Sequence, residues 1–308
     1  MTFTAVKPEA VINTGLGLLY RQMVIPQLIT TWGIDRFVGA KGDTVNVKLP
    51  AVATARRQAL RATGAARTIV VDDLAQTSFP VVLDERVYHA AGIPDETETL
   101  DELNFMSDVC EPQVKAIAED LEDIAIEGMA AATYAVTGTV LDVGDPQVTF
   151  NLLNKILNNA FVPRSERVIV VGSDIEEALL NDEKFQRADI MGGVDDSAAA
   201  LKDAALRRAA KFSIYGSSAL GPKQGYAFHR SAFILAAAAP VVPVGQTGAT
   251  MSTGSADGSF ALRWMTDYDK DQNMNRSIFT AFAGFGVVPA TTGTNSGKVV
   301  RAVPFTMA

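Results

Sequence analysis

Gly225-Tyr226-Ala227-Phe228-His229-Arg230-Ser231-Ala232-Phe233-Ile234-Leu235-Ala236-Ala237-Ala238-Ala239-Pro240 starts as a strand and runs into an unbroken apolar, alanine-rich stretch. It ends at Pro240, Val241, Val242 and Pro243, where proline stops further ladder pairing. The one candidate for chemistry within it is His229. An enzyme of this length normally places a reactive cluster beside so much packing sequence, and none accompanies this one. The stretch therefore reads as part of a building block.

The 308 residues suffice for one large domain or two ordinary ones. With 48% hydrophobic and 20% charged residues the chain is globular rather than disordered. Mean hydropathy is +0.14. So low a charge content predicts that other subunits cover part of the surface. A net charge of −8 argues against a dedicated nucleic-acid binder, though not against a protein that merely encloses nucleic acid. The single cysteine, Cys110, excludes an intramolecular disulfide and a cysteine-based zinc site, and fits a reducing compartment. No apolar run approaches the ~20 residues that span a bilayer, and no signal-peptide core is seen.

Outward from the opening stretch, periodicity orders the chain. In residues 1–40, Leu16, Leu18, Leu19, Met23 and Ile25 are apolar residues that would pack, a run that Pro26 interrupts, and the segment reads as an extended arm with a short helix. Gly42-Asp43 signals a turn, after which Val45, Val47 and Leu49 alternate with polar residues as a half-buried strand. Phe79, Val81 and Leu83 form a second. The residues between, 50–78, are rich in Ala, Arg and Thr and predict a hairpin that protrudes from the body. Thr99 and Glu102 fit a capping box. Val114, Ile117, Leu121 and Ile124 recur at helical spacing, giving a long amphipathic helix over roughly 107–131 with Pro112 near its start.

A helix–strand–helix unit follows. Asp145-Pro146 opens a helix with Val148, Leu152, Ile156 and Ala160 as its apolar stripe. Arg167–Gly172 is a buried strand, and Ser173-Asp174-Ile175-Glu176 is a capping box. Another helix is predicted over 197–211 and a loop over 244–258. Phe260, Leu262 and Trp264 alternate with Ala261 and Arg263. The charged run Asp267–Asn273 and the apolar Ile278–Val288 complete a second hairpin with a charged tip.

No constellation suggests catalysis. His89 and His229 are the only histidines and lie far apart in sequence. Gly172-Ser173-Asp174 sits at a strand-to-helix turn of the kind that receives phosphate, but it lacks G-x-G-x-x-G and a Walker lysine; capping by Ser173 accounts for it. Asp267, Asp269 and Asp271 alternate as in a calcium loop without the Gly and distal Glu that such a loop requires, so a solvated tip is the reading. No cofactor or metal site is expected.

One charge pattern stands out. Arg56, Arg57, Arg61 and Arg67 fall in the protruding segment, with no acid between Lys48 and Asp72. Residues 95–127 are acidic, among them Asp101, Glu102, Glu119, Asp120, Glu122 and Asp123, with Lys115 the only base. A projecting basic loop and an acidic helix either pair between neighbouring copies, where arginine forks suit carboxylates, or remain two solvated surfaces.

The order of these parts resembles the major capsid proteins of tailed bacteriophages, with the HK97-type shell fold. Gly42-Asp43-Thr44-Val45-Asn46-Val47 looks like the base of that family's extended loop, and 107–131 like its spine helix. Arg167–Gly172 with Ser173–Leu180 resembles a strand–helix unit of its axial domain. Tyr226–Ala232 resembles its late strand before the chain re-enters the peripheral domain, and Ser259–Val288 that domain's long hairpin. The resemblance implies an α+β fold divided into an N-terminal arm (1–40), an extended-loop hairpin (41–90), a spine helix and peripheral domain (91–140), an axial domain (141–240) and a peripheral-domain hairpin with C-terminal return (241–308).

It also implies self-assembly into hexamers and pentamers of an icosahedral shell. That shell would enclose double-stranded DNA without sequence-specific binding, in a virion assembled in the host cytoplasm with a portal and no membrane. No charged helical pro-segment precedes the fold, so a scaffolding protein is expected as a separate chain. Segment 49–71 contains no lysine, so the family's lysine–asparagine crosslink is not expected there. On this reading His229 is a packing residue. Two rivals remain: an encapsulin-type compartment shell of the same fold, and a nucleotide-using α/β enzyme built on residues 141–240.

Overall fold

The computed structural model describes residues 11–12, 14–15, 23–33, 44–49, 55–61, 63–69, 71, 77–96, 105–182, 208–209, 211–252, 260–290 and 294–308. Its strands are β1 (Thr30–Trp32), β2 (Thr44–Leu49), β3 (Thr77–Val82), β4 (Glu85–Pro94), β5 (Thr139–Leu141), β6 (Arg167–Val171), β7 (Arg208–Ala209), β8 (Phe212–Gly216), β9 (Gln224–His229), β10 (Phe233–Ala238), β11 (Thr247–Ser252), β12 (Ala261–Asp269), β13 (Met274–Val287) and β14 (Ala302–Met307). The helices are Ile25–Leu28, Glu111–Ala131, Pro146–Asn159 and Ser173–Asn181.

The strands form two six-stranded sheets and a two-stranded ribbon. The first sheet runs β1-β10-β13-β12-β11, with β4 also pairing to β13; the second runs β5-β14-β9-β6-β8-β7; β2 and β3 form the ribbon. The opening stretch supplies a central strand to each large sheet. Gln224–His229 lies between β6 and β14, and one 3-10 turn later Phe233–Ala238 lies between β1 and β13. Phe233–Ala238 thus pairs in the first sheet, and Ala302–Met307 returns to pair in the second.

Side-chain alternation sorts these strands into cores. Val168, Val170, Tyr226 and Phe228 face a cluster shared with the first sheet and the long helix Glu111–Ala131. Ile169, Val171 and Ala227 face the opposite way, onto Phe150, Leu153, Leu157, Ile175 and Leu179 of the two flanking helices. Both faces are covered, so β6 is buried at every position. The alanine-rich β10 is likewise buried throughout: Phe233, Leu235 and Ala237 enter the shared core, while Ile234 and Ala236 meet Phe79, Val81 and Val288 at the ribbon's base. Gly284 permits that last contact, because a Cβ there would collide with the Val82 carbonyl.

The long helix lays Val114, Ile117, Ala118, Leu121, Ala125 and Met129 against the first sheet, with Pro112 in its first turn as read from sequence. A π-helical turn, Phe105–Cys110, precedes it. Burial pushes the Cys110 thiol up to about 12, which leaves it inert. Gln113 fixes the helix polarly: its amide donates to the Ser277 carbonyl at 2.8 Å and accepts from Ser277 Oγ at 2.9 Å. Trp264 Nε1 donates to the same hydroxyl at 3.0 Å.

Several sequence readings change. Pro26, read as interrupting the apolar run, sits in the first turn of the short helix Ile25–Leu28, where an absent N–H is harmless. In Pro146–Asn159 the buried face is Thr149, Phe150, Leu153 and Leu157; of the stripe read from sequence, Ile156 and Ala160 pack partly buried against this core, while Val148 and Leu152 are 56% and 45% exposed. Two apolar stripes competed on this helix, and the one carrying Phe150 won by packing edge-on to Phe305. The loop read over 244–258 contains β11, an edge strand on β12. The helix read over 197–211 ends instead in β7 and a turn; its remainder, like the Thr99–Glu102 capping box, lies outside the described residues. Strand β4 was not anticipated, although Val87 and Ile93, its buried residues, fall in one period-two register.

Glu122 lies where the parts meet. It is 6% exposed, and its Oε1 accepts from Ile25 N–H at 3.3 Å and from Ser217 Oγ at 3.1 Å. Removing it strands two buried donors, each costing roughly 1–3 kcal/mol. Glu122→Leu is expected to lower the unfolding free energy by about 3 kcal/mol and Glu122→Gln, which keeps an acceptor, by about 1 kcal/mol. Urea titration followed by tryptophan fluorescence measures both; a Leu variant as stable as wild type would remove Glu122 from this role.

Candidate inter-subunit surfaces

The β2–β3 ribbon pairs Thr44–Leu49 with Thr77–Val82, the two strands read from alternation. Beyond it, every side chain described between 55 and 71 is exposed. Arg56, Arg57 and Arg61 are among them; Arg67 ends a 3-10 turn, Gly64–Arg67. The two limbs are joined by Gln58 Nε2 donating to the Thr68 carbonyl at 2.7 Å. Apolar residues are exposed here as well: Leu60 at 101%, Ile69 at 79% and Val71 at 89%. An isolated chain gains nothing from an extended segment that is at once cationic and apolar, whereas a partner surface would use both properties.

The acidic residues divide. Glu119, Asp120 and Asp123 are exposed on the long helix, with Glu119 3.8 Å from Lys115. Asp120 has its carboxyl pushed upward by partial burial and by Asp123. Glu122 departs from the sequence reading: it is turned inward and bonded within the chain. Asp101 and Glu102 lie outside the described residues.

A groove of about 380 Å³ lies between the helix and the first sheet. Ile124, Gly128, Ala131, Ala132, Phe285 and Val287 line it, and Asp84, Glu85 and Glu127 rim it. Glu127 belongs to the acidic run read from sequence, whereas Asp84 and Glu85 were not named as contacts. The signal was present in Asp84-Glu85 directly after the ribbon, but only folding brings them beside Glu127.

Elsewhere, acids and cations are spent internally. At the β12–β13 tip, Arg276 grips Asp267 at 2.7 Å and Asp269 at 3.2 Å, and Asp269 accepts from Asp271 N–H at 3.0 Å. The tip therefore closes on itself. No group of three or more His, Cys, Asp or Glu fit to hold a metal occurs among the described residues. At the Gly172 turn, Asp174 N–H donates to the Pro222 carbonyl at 3.1 Å and Gly172 N–H to Gln224 O at 2.9 Å. A Cβ on Gly172 would strike Gly221 and Pro222 carbonyls, so carbonyl oxygens fill the place a phosphate would take. Gly172, not Ser173, is the N-cap, and no side chain caps it.

No family profile and no curated protein matches the sequence. Solved structures do match. A structure from Mycobacterium phage Che8 is 19% identical with a TM-score of 0.64, over 92% of this chain and 91% of that one. The capsid structure of the cyanophage P-SCSP1u is 11% identical at 0.63, over 100% and 91%. The chain has the HK97-type capsid fold. Within that fold a virus-like particle from Pyrococcus furiosus is also similar, 9% identical at 0.51 over 96% and 98%. Among the described residues of this capsid fold, no helix is long and apolar enough to cross a membrane.

His229 has a more particular role than packing. Its Nδ1 accepts from Ser231 N–H at 3.1 Å and so caps the turn between the two sheets. Burial first, then Arg301 and Arg167, hold its pKa below the usual 6.5 against the pull of Glu166. Below pH 6.5 the unfolded chain takes up a proton that the folded chain refuses, so stability is full above that pH and falls as pH drops. His229→Asn keeps a capping acceptor without titrating. Thermal unfolding between about pH 5 and 8 is expected to show a shallower acid-side loss in this variant; identical slopes would refute the assignment.

Proposed function

We propose that this chain is the major capsid protein of a tailed bacteriophage, and that its copies assemble into an icosahedral shell of hexamers and pentamers around double-stranded DNA. The observation that carries this reading is closeness of fit along nearly the whole chain: the cyanophage capsid structure matches all of this chain at a TM-score of 0.63, against 0.51 for the Pyrococcus particle. The first sheet with the long helix would then be the peripheral domain, the second sheet the axial domain, and the ribbon the extended loop. The location is the virion, and a scaffolding protein and a portal are the partners that accompany this reading.

The contact between copies is assigned to surfaces that fit in both charge and polarity. The ribbon's far end offers Arg56, Arg57 and Arg61 around the exposed Leu60. The groove beside the long helix offers an apolar floor with Asp84, Glu85 and Glu127 at its rim. A neighbour's loop seated there would bury Leu60 and set arginine forks against carboxylates. Each exposed pair contributes only about 0–1 kcal/mol, so the charges fix register while apolar burial and repetition supply strength.

The virus-like particle from Pyrococcus furiosus keeps a second reading in view, a compartment shell of encapsulin type. Both readings predict closed shells. Particles that protect nucleic acid favour the phage, and particles that retain a protein cargo favour the compartment.

Arg56→Glu/Arg57→Glu/Arg61→Glu is expected to abolish shells while leaving the subunit folded, as judged by negative-stain images and circular dichroism. Adding Asp84→Lys, Glu85→Lys and Glu127→Lys is expected to restore them. Normal shells from the first variant would overturn the loop's role, and failure of the second to rescue would move the recipient site away from this groove.

A further inference from the structure

The second sheet carries a feature apart from the surfaces proposed above for contact between copies. Three turns gather at one of its ends: residues 163–166 ahead of β6, the β7–β8 turn, and the 3-10 turn that follows β9. Parallel β6 and β8 start at this end and antiparallel β9 finishes there, so topology alone brings the turns together. Between them lies a cavity of about 660 Å³ lined by Arg164, Lys211 and Arg230, with Ser213 and Tyr215 contributing hydroxyls and Glu166 the only acid among the described lining residues.

Several observations mark this cavity as a site for an anion. Among the described residues, none of the three cations has a side-chain hydrogen bond or ion pair. At the β12–β13 tip, by contrast, Arg276 is paired with Asp267 and Asp269. Beneath them Arg167 is 2% exposed, and its donors are spent on neutral acceptors: the Pro163 and Val162 carbonyls and the Asn154 and Asn158 amides. Its charge is thus uncompensated and adds to the positive potential of the cavity. Lys211 (φ 73) and Glu166 (φ 52) both hold a left-handed backbone, a conformation that costs a residue other than glycine free energy, and both face the same cavity.

We propose that this cavity binds phosphate oxyanions. Guanidinium forks from two separate turns, an ammonium and two hydroxyls can serve the several oxygens of a tetrahedral anion, and the space exceeds what one carboxylate fills. The chain's overall charge of −8 repels polyanions, so an enclosed nucleic acid would find here a local exception. The assignment of the phosphodiester backbone as the source rests on the capsid reading. The oxyanion site itself does not, because it belongs to the single subunit.

The test uses the dissociated full-length subunit. Inorganic phosphate is titrated by calorimetry at about 50 mM salt, then a short DNA duplex is added as competitor. Arg164→Gln/Lys211→Asn/Arg230→Gln is expected to weaken phosphate binding about tenfold or more, and to flatten the salt dependence of duplex binding by up to three phosphate contacts. Asparagine is chosen at 211 because it accepts a left-handed backbone. Glu166→Gln is expected to act in the opposite sense and tighten binding severalfold, which damage to the fold would not do. If the triple variant unfolds, Lys211→Asn alone, at an exposed turn, takes its place with a smaller loss. Equal affinity in wild type and variants, or no phosphate binding, overturns the site. Phosphate binding without duplex competition retains the site and refutes nucleic acid as the source, while shell formation remains a separate question.

Discussion

One buried carboxylate joins what would otherwise be separate layers. Glu122 leaves the long helix, takes a hydrogen bond from the start of the N-terminal helix at Ile25, and takes another from Ser217 at the end of β8 in the second sheet. The helix already packs on the first sheet, so this side chain links the N-terminal segment and both sheets. Burying a carboxylate is costly unless its oxygens are served, and here the donors come from the very parts that must be held in register. The apolar core supplies most of the stability, roughly 1.5–3 kcal/mol for each fully buried side chain such as Phe228 or Phe279. It does not fix which turn of helix meets which loop, and the polar junctions do. Gln113 with Ser277 and Trp264 performs the same service further along the helix.

Period-two and 3.6 patterns made much of the architecture legible. The long helix, the paired ribbon strands, β6 and the β12–β13 hairpin all follow from alternation that burial then respects. What escaped was decided by tertiary competition. Val148 and Leu152 are as apolar as Leu153 and Leu157, and only the position of Phe305 selects the second face. Strand β11 is rich in Thr and Gly, and its strand character comes from having β12 beside it. His229 looked like core because its neighbours are core; its capping bond depends on a turn that only exists because two sheets must be joined there.

The surfaces proposed for contact were half legible. Clustered arginines in a segment without acids are visible in any one-dimensional reading, and so is the acid-rich helix. Which acids face outward is not, because a helix presents each residue to a different side. Glu122 is separated by a single position from the exposed Asp123, yet the two face opposite environments. The acids that rim the groove come from the ribbon's exit and from the helix, so only the folded chain makes them neighbours.

The anchoring of the ribbon links subunit stability to assembly. Its base is packed into the first sheet through Phe79 and Val81 against Ile234, Ala236 and Val288, and Gly284 lets the Val82 carbonyl approach β13 closely. The loop's exposed arginines and apolar residues therefore project from a fixed platform rather than from a free tether. This matters because the individual contacts are weak. A weak contact on an unanchored loop loses most of its free energy to ordering, about 1–2 kcal/mol per backbone residue fixed, whereas a preorganised one keeps it. In the proposed shell the remainder is multiplied by the number of copies, so burial deep in each subunit would determine how much of the surface complementarity survives to hold neighbours together.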